Sequence, residues 1–125
     1  MLKRKHEVMD SLRYSIIYAV IRPEISERVS VGLIIVDCEE VDVRISRQKL
    51  NALQNLFSGK EYDYLSRIVY SIQRNQTVRS TDAINYLSRY SNNLIAISPL
   101  QTIDIKPTKQ SKEKLYKTYV YDGVK

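Results

Sequence analysis

Three charged residues lie close together in a polar segment between two apolar runs. They are Arg22, Glu27 and Arg28, and Pro23 stands among them. A carboxylate beside a guanidinium can fix its orientation, so that Arg22 or Arg28 meets an acidic ligand or partner. An ion pair that only holds a turn, or a solvated loop, gives the same pattern, because exposed pairs are common and worth about 0–1 kcal/mol. Ser30 follows closely, and its hydroxyl is able to bond nearby backbone.

This charged segment does not indicate catalysis. No histidine, serine nucleophile motif or second carboxylate is spaced to work with Glu27 or Arg28. We therefore predict that Arg22, Glu27, Arg28 and Ser30 bind a partner. An enzyme of unknown type that uses Glu27, Arg28 and the acidic hairpin near residue 40 ranks last among the functional hypotheses.

Other residues that carry chemistry are scarce. Asp37, Glu39, Glu40 and Asp42 form an acidic cluster whose oxygens suit Mg²⁺ or Ca²⁺. Their spacing matches no recognised metal-binding loop, and a solvated hairpin turn is the favoured interpretation. His6 is the only histidine and the three glycines are isolated, so zinc binding, histidine catalysis and phosphate-binding loops have no support. We predict no catalytic residue, metal or cofactor.

Tyrosine is over-represented, with ten residues against one phenylalanine and no tryptophan. Tyrosines interleaved with arginines are found in protein interfaces, where the ring is buried and the hydroxyl stays wet. They also stack on bases while the arginines neutralise phosphates. Packing at the edge of the core is the third interpretation. The candidate partner-binding tyrosines are Tyr62, Tyr70 and Tyr86, and the candidate nucleic-acid contacts are Arg67, Arg74, Arg79, Arg89, Lys109 and Lys112.

Length and composition indicate one soluble domain. A chain of 125 residues with a net charge of +6 fits a single core, which we place at residues 11–121. Residues 1–10 resemble a flexible basic leader and residues 122–125 a tail. No secretory signal or transmembrane run is visible. The single cysteine, Cys38, follows an apolar run and is expected to be a reduced thiol, which suits a cytoplasmic protein.

Apolar periodicity predicts which elements carry these residues. Residues 12–21 are apolar on both faces, which predicts a central strand that ends at Pro23. Residues 29–36 predict a second central strand, in which Gly32 indicates a bulge or the close approach of another backbone. Residues 41–46 alternate like a half-exposed strand. Short connections between these strands predict an antiparallel meander.

The period then changes to that of helices. Apolar stripes predict one helix over 50–57 that ends at Ser58–Gly59, a second over 62–72, and a third capped by Ser80 or Thr81. Extended structure returns at 94–97 and 100–105, and Ser111 is expected to cap a final helix. The fold class is therefore α+β: an antiparallel sheet of the three-strand meander plus one or two C-terminal strands, packed with three to four helices.

Short motifs over residues 12–121 give a resemblance to a known family. Tyr14-Ser15-Ile16-Ile17, the segment Glu27 to Ile35 with its Val31-Gly32 pair, Ser98-Pro99, and Leu115 to Val120 resemble a bacterial family called domain of unknown function 3037. Family members more often carry asparagine where this chain has Ser30. The resemblance implies an intracellular bacterial protein, sometimes encoded beside a kinase-like toxin-related protein, and it implies no established activity.

The leading hypothesis is a non-enzymatic module that binds or accompanies another protein, as a hetero- or homo-oligomer. The alternative is a nucleic-acid-binding protein that uses the basic and tyrosine-rich helices. No membrane contact is predicted.

Overall fold

The computed structural model describes residues 11–25, 27–37, 40–75 and 94–120, and it confirms the α+β class. The sheet has five antiparallel strands: β1 (Leu12–Arg22), β2 (Glu27–Asp37), β3 (Glu40–Ile45), β4 (Ile95–Ile97) and β5 (Gln101–Ile103). Three helices are described: α1 (Arg47–Ala52), α2 (Gly59–Asn75) and α3 (Lys109–Tyr119). Short 3-10 turns occupy Pro23–Ile25 and Gln54–Leu56.

The sheet is organised around β1. Strands β1, β2 and β3 form the predicted meander, in the spatial order β3-β2-β1. Strands β4 and β5 both pair with the other edge of β1, so that Ile17 faces Ile97 and Tyr14 faces Gln101. The pairing slips by one residue between these two positions. The two C-terminal strands are thus a single edge segment with an interruption.

Ser98 and Pro99 lie at this interruption. The backbone N–H of Ser98 donates to the carbonyl of Ile16 at 2.9 Å, and the N–H of Ile16 donates to the Ser98 hydroxyl at 2.8 Å. A side-chain oxygen therefore replaces the backbone carbonyl as the acceptor for Ile16. This bond keeps a buried backbone donor satisfied where the register changes.

Both faces of β1 are buried, as its sequence predicts. Side chains at 17 and 19 pack under α1 and α2, and those at 12, 14 and 16 pack under α3. The first cluster includes Ile34, Val36, Leu50, Leu65 and Val69, and the second includes Leu33, Ile35, Leu115 and Val120. Ser15 is a buried polar residue of β1, and its hydroxyl has no hydrogen-bond partner within the described ranges.

The bulge predicted at Gly32 is present. Ile17 faces Gly32 and the next residue, Tyr18, faces Ser30, so Val31 has no opposite residue on β1. A Cβ at Gly32 would lie 2.7 Å from Ile45 Cδ1 and 3.1 Å from the carbonyl oxygen of Arg44. Glycine is therefore required by the close approach of β3, whose backbone and side chain fill this space.

Two helix ends differ from the sequence prediction. The first predicted helix is shorter, since α1 ends at Ala52 and a 3-10 turn follows. Gly59 begins α2 instead of ending the preceding helix, because Ser58 and Glu61 form a capping box in which each side chain accepts the other's backbone N–H.

The last helix also begins at a different cap. Thr108, not Ser111, caps α3, and its hydroxyl accepts from the Ser111 N–H at 3.1 Å. The predicted helix that Ser80 or Thr81 would cap lies outside the described residues. No helix in the described ranges is long and apolar enough to cross a membrane.

The two described glycines offer a matched test of the close approach at β3. We expect Gly32→Ala to lower the free energy of unfolding by about 1–2 kcal/mol, because the added methyl group overpacks the core against two neighbouring strands. Gly59→Ala places the same methyl group in open space at the start of α2 and should raise stability by up to about 1 kcal/mol. Urea denaturation of both variants measures the difference. Equal effects of the two substitutions would contradict this account.

Candidate functional site

The charged segment between β1 and β2 is an exposed hairpin bend, which we call the 22–28 bend. Pro23 opens its 3-10 turn, where a fixed φ and a missing N–H are tolerated. Arg22 and Glu27 face each other across the ladder and close the turn. The side chains described as exposed on the bend are Arg22, Glu24, Ile25, Glu27 and Arg28.

Glu27 pairs with Arg22. The Nε of Arg22 lies 3.7 Å from Oε1 of Glu27, and the two side chains are 65% and 51% exposed. A pair this long and this exposed contributes little to stability, because both groups remain hydrated. Both charges are therefore available to a partner that offers better geometry.

Arg28 is held by an aromatic ring. Its guanidinium carbon lies 4.3 Å from the ring centroid of Tyr18, which packs against the core cluster beneath α3. A cation over a tyrosine face is worth about 0.5–1 kcal/mol at an exposed site. The contact orders the Arg28 side chain before any partner arrives, and this lowers the entropy that binding would cost.

Ile25 is the apolar residue of the bend. It is 62% exposed and lies at the end of the 3-10 turn, between the charged side chains of positions 24 and 27. The sequence pattern predicts a polar bend and indicates no role for this residue. An exposed aliphatic side chain within a ring of charges is the feature that the structure adds.

Ser30 makes hydrogen bonds within the protein. Its hydroxyl donates to the carbonyl of Tyr119 at 2.6 Å, and the Lys49 ammonium donates to the Ser30 carbonyl and hydroxyl at 3.0 and 3.2 Å. These bonds join β2 to the start of α1 and to the end of α3. The orphan carbonyl at the C-terminus of α3 is satisfied in this way.

The tyrosines predicted on the helices lie at the edge of the core. Tyr62 is half-buried, with its hydroxyl 3.4 Å from Oδ1 of Asn51. Tyr70 is also half-buried, and the guanidinium of Arg47 lies 5.6 Å from its ring centroid. Tyr86 lies outside the described residues. Both described rings thus keep a polar neighbour while their apolar parts pack inward.

The predicted nucleic-acid contacts fall into three groups. Arg67, Arg74 and Lys109 are exposed, and Arg67 pairs with Asp63 at 2.8 Å within α2. Lys112 is largely buried and pairs with Asp37 at 3.1 Å, so it ties α3 to the end of β2. Arg79 and Arg89 lie outside the described residues.

Two members of the acidic cluster have internal partners. Asp37 binds Lys112, and Asp42 accepts from Arg44 on the same strand at 3.1 Å. Glu40 is exposed, and Cys38 and Glu39 lie outside the described residues. In the ranges that the structure describes, no three metal-ligating side chains come together.

A tyrosine pair that the sequence did not reveal lies beneath α3. The rings of Tyr14 and Tyr119 stack at 5.0 Å, their hydroxyl oxygens lie 3.1 Å apart, and the Tyr14 hydroxyl donates to Oε1 of Gln101 at 2.8 Å. Burial, followed by the hydrogen bond and charge interaction with Tyr119, raises the pKa of Tyr14 to about 12. Tyr14 therefore holds its proton at neutral pH, and the stacked pair docks the end of α3 on β1.

The 22–28 bend and the outer face of α2 are separate surfaces. Within the described part of the chain, no hydrogen bond, ion pair or ring contact joins bend residues to α2. Each surface is therefore considered by itself.

Comparison with protein-family models, curated proteins and solved structures found no significant match. The resemblance to domain of unknown function 3037 stays a prediction.

The Lys112–Asp37 pair should contribute more to stability than the exposed Asp63–Arg67 pair. We expect a coupling free energy of about 1 kcal/mol or more from a double-mutant cycle of Lys112→Ala and Asp37→Ala, because partial burial reduces solvent screening. The same cycle at Asp63 and Arg67 should give about 0.3–0.5 kcal/mol. Urea denaturation of the natural chain, the four single variants and the two double variants supplies both values. Similar coupling at the two pairs would show that Lys112 does not anchor α3.

The raised pKa of Tyr14 predicts a loss of stability in alkaline solution. Between pH 10 and 12 the unfolded chain loses the Tyr14 proton while the folded protein keeps it, so the free energy of unfolding falls as pH rises. The contribution of Tyr14 amounts to about 2–3 kcal/mol by pH 12, from a shift of about two units. Urea titrations at several pH values, for the natural chain and for Tyr14→Phe, isolate it. A Tyr14→Phe curve as steep as the original would contradict the assignment.

Proposed function

We propose that this chain is a protein-binding accessory module and that the 22–28 bend is its contact surface. The observation that carries the proposal is the exposed Ile25 at the end of a hairpin, with charged residues on both sides. Protein interfaces are built in this way, from an apolar anchor inside a polar rim.

The hairpin that presents the bend is rigid. Strands β1 and β2 pair from Arg13–Val36 to Arg22–Glu27, with register shifts at Val31 and Ile21, and their side chains form the centre of both core clusters. A residue at the tip of such a hairpin is positioned by the core, so docking costs little conformational entropy.

Arg28 adds a second anchor. Arginine and tyrosine are enriched among the residues that dominate binding energy, and here the Arg28 guanidinium already rests on the Tyr18 ring. A partner carboxylate that approaches Arg28 would meet an ordered, forked donor.

The charges of the bend indicate which kind of partner surface would be complementary to it. Two arginines and two glutamates are exposed there, so the bend carries no net charge. A fitting partner surface has an apolar pocket for Ile25 and charges of both signs around it. If the resemblance to domain of unknown function 3037 holds, a kinase-like toxin-related protein is the first partner to test.

Site-specific crosslinking in the native host tests the proposal. We expect a photo-crosslinking amino acid at position 25 to form a covalent adduct with a defined protein, identified by mass spectrometry. The matched control carries the same group at position 104, which is also exposed but lies beside β5, at the far end of β1 from the bend. Arg28→Ala should reduce the adduct several-fold without changing thermal stability by more than a few degrees.

Two outcomes would contradict the proposal. One is an adduct yield at position 25 no higher than that at position 104. The other is an adduct from position 25 that is unaffected by Arg28→Ala. An adduct between two copies of this chain would identify the partner as a second copy.

A further inference from the structure

The outer face of α2 carries a stripe of cations around an exposed tyrosine. Lys60, Tyr64, Arg67 and Arg74 recur at spacings of four, three and seven residues, which places them on one side of a helix. The three cations follow one another at about 10.5 Å along the helix axis, from a rise of 1.5 Å per residue.

The core fixes the direction in which this stripe points. Leu65, Val69 and Ile72 lie on the opposite side of α2 and are buried against the sheet. All four stripe residues are exposed, and Tyr64 is 58% exposed although its ring is largely apolar. The helix therefore displays an aromatic ring between two positive charges.

The surroundings of the stripe increase its positive charge. Arg47, exposed at the start of α1, lies over the ring of Tyr70 on the same side of α2 as Arg74. Asp63 is the acidic residue beside the stripe, and its pair with Arg67 is exposed and exchangeable. Glu61 is turned to the capping box at Ser58. The four cations thus outweigh one carboxylate.

We propose that this face of α2 binds single-stranded nucleic acid. Cations spaced along a helix match the phosphates of a polynucleotide backbone, and an exposed tyrosine between them offers a surface on which an unpaired base stacks. A protein partner is less well suited, because the stripe has no exposed aliphatic side chain to fill an apolar pocket. The sequence pI of about 9.4 also favours a polyanion.

The proposal is independent of the partner bound at the 22–28 bend. The two surfaces share no residue, and the hydrogen bonds, ion pairs and ring contacts given above for the described residues do not join them, so Ile25→Asp should leave nucleic-acid binding unchanged. Failure of one proposal therefore leaves the other standing.

Fluorescence anisotropy with a labelled oligothymidylate of about 20 nucleotides tests the inference. For three phosphate contacts we expect log K to fall with log salt at a slope of about −2, since each contact on a single strand contributes about −0.7. Tyr64→Ala should weaken binding at least about fivefold through lost stacking. Arg74→Gln should reduce the magnitude of the slope by about 0.7.

Lys114→Gln supplies the matched control, because it removes one exposed positive charge from α3 instead of α2. This variant should keep the slope and affinity of the natural chain, and circular dichroism checks that all variants are folded. Undetectable binding at 50 mM salt, or equal effects of Lys114→Gln and Arg74→Gln, would overturn the proposal. It would also be overturned if a polyglutamate peptide bound at least as tightly and Tyr64→Ala had no effect, which would indicate an acidic protein instead.

Discussion

The burial of β1 on both faces and its pairing along both edges is the constraint on which the rest of the structure depends. Every other strand except β3 pairs with β1, and β3 reaches it through β2. The helices divide between its two faces, with α1 and α2 on one and α3 on the other. Because this strand has no solvent face, each functional group of the fold lies at the ends of the sheet or on the outside of a helix.

The bend at one end of the sheet and the outer face of α2 are two surfaces that differ in charge and in apolar content. The 22–28 bend has balanced charges and an exposed aliphatic residue, and the paired strands β1 and β2 hold it in place. The outer face of α2 has an excess of cations on a helix whose inner side is locked into the core. These differences are the reason why we propose a protein partner for the bend and a polyanion for α2.

Much of the fold was predictable because it follows from local periodicity. Neighbouring residues alone predict the strand pattern of residues 12–46, the end of β1 before Pro23 and the bulge at Gly32. The Arg28–Tyr18 contact could not have been predicted in this way, because a register shift between Val20 and Arg22 places Arg28 opposite Val20, on the same face of β1 as Tyr18. Contacts between distant segments could not be predicted, because no local sequence pattern links Tyr14 to Tyr119 or Asp37 to Lys112. The prediction of helix ends was wrong for a related reason. Ser58–Gly59 is compatible with the end of one helix and with the beginning of the next, and the reciprocal hydrogen bonds between Ser58 and Glu61 determine that a helix begins here.

The placement of α3 has a consequence for biosynthesis. A chain leaves the ribosome from its N-terminus, so the meander is complete long before residues 109–120 emerge. Until then, the face that carries Leu12, Ile16 and Leu33 has no cover, and β1 lacks the neighbours that β4 and β5 provide along one edge. The nascent hairpin is prone to aggregation during that interval, and a chaperone that covers this face would protect the nascent chain.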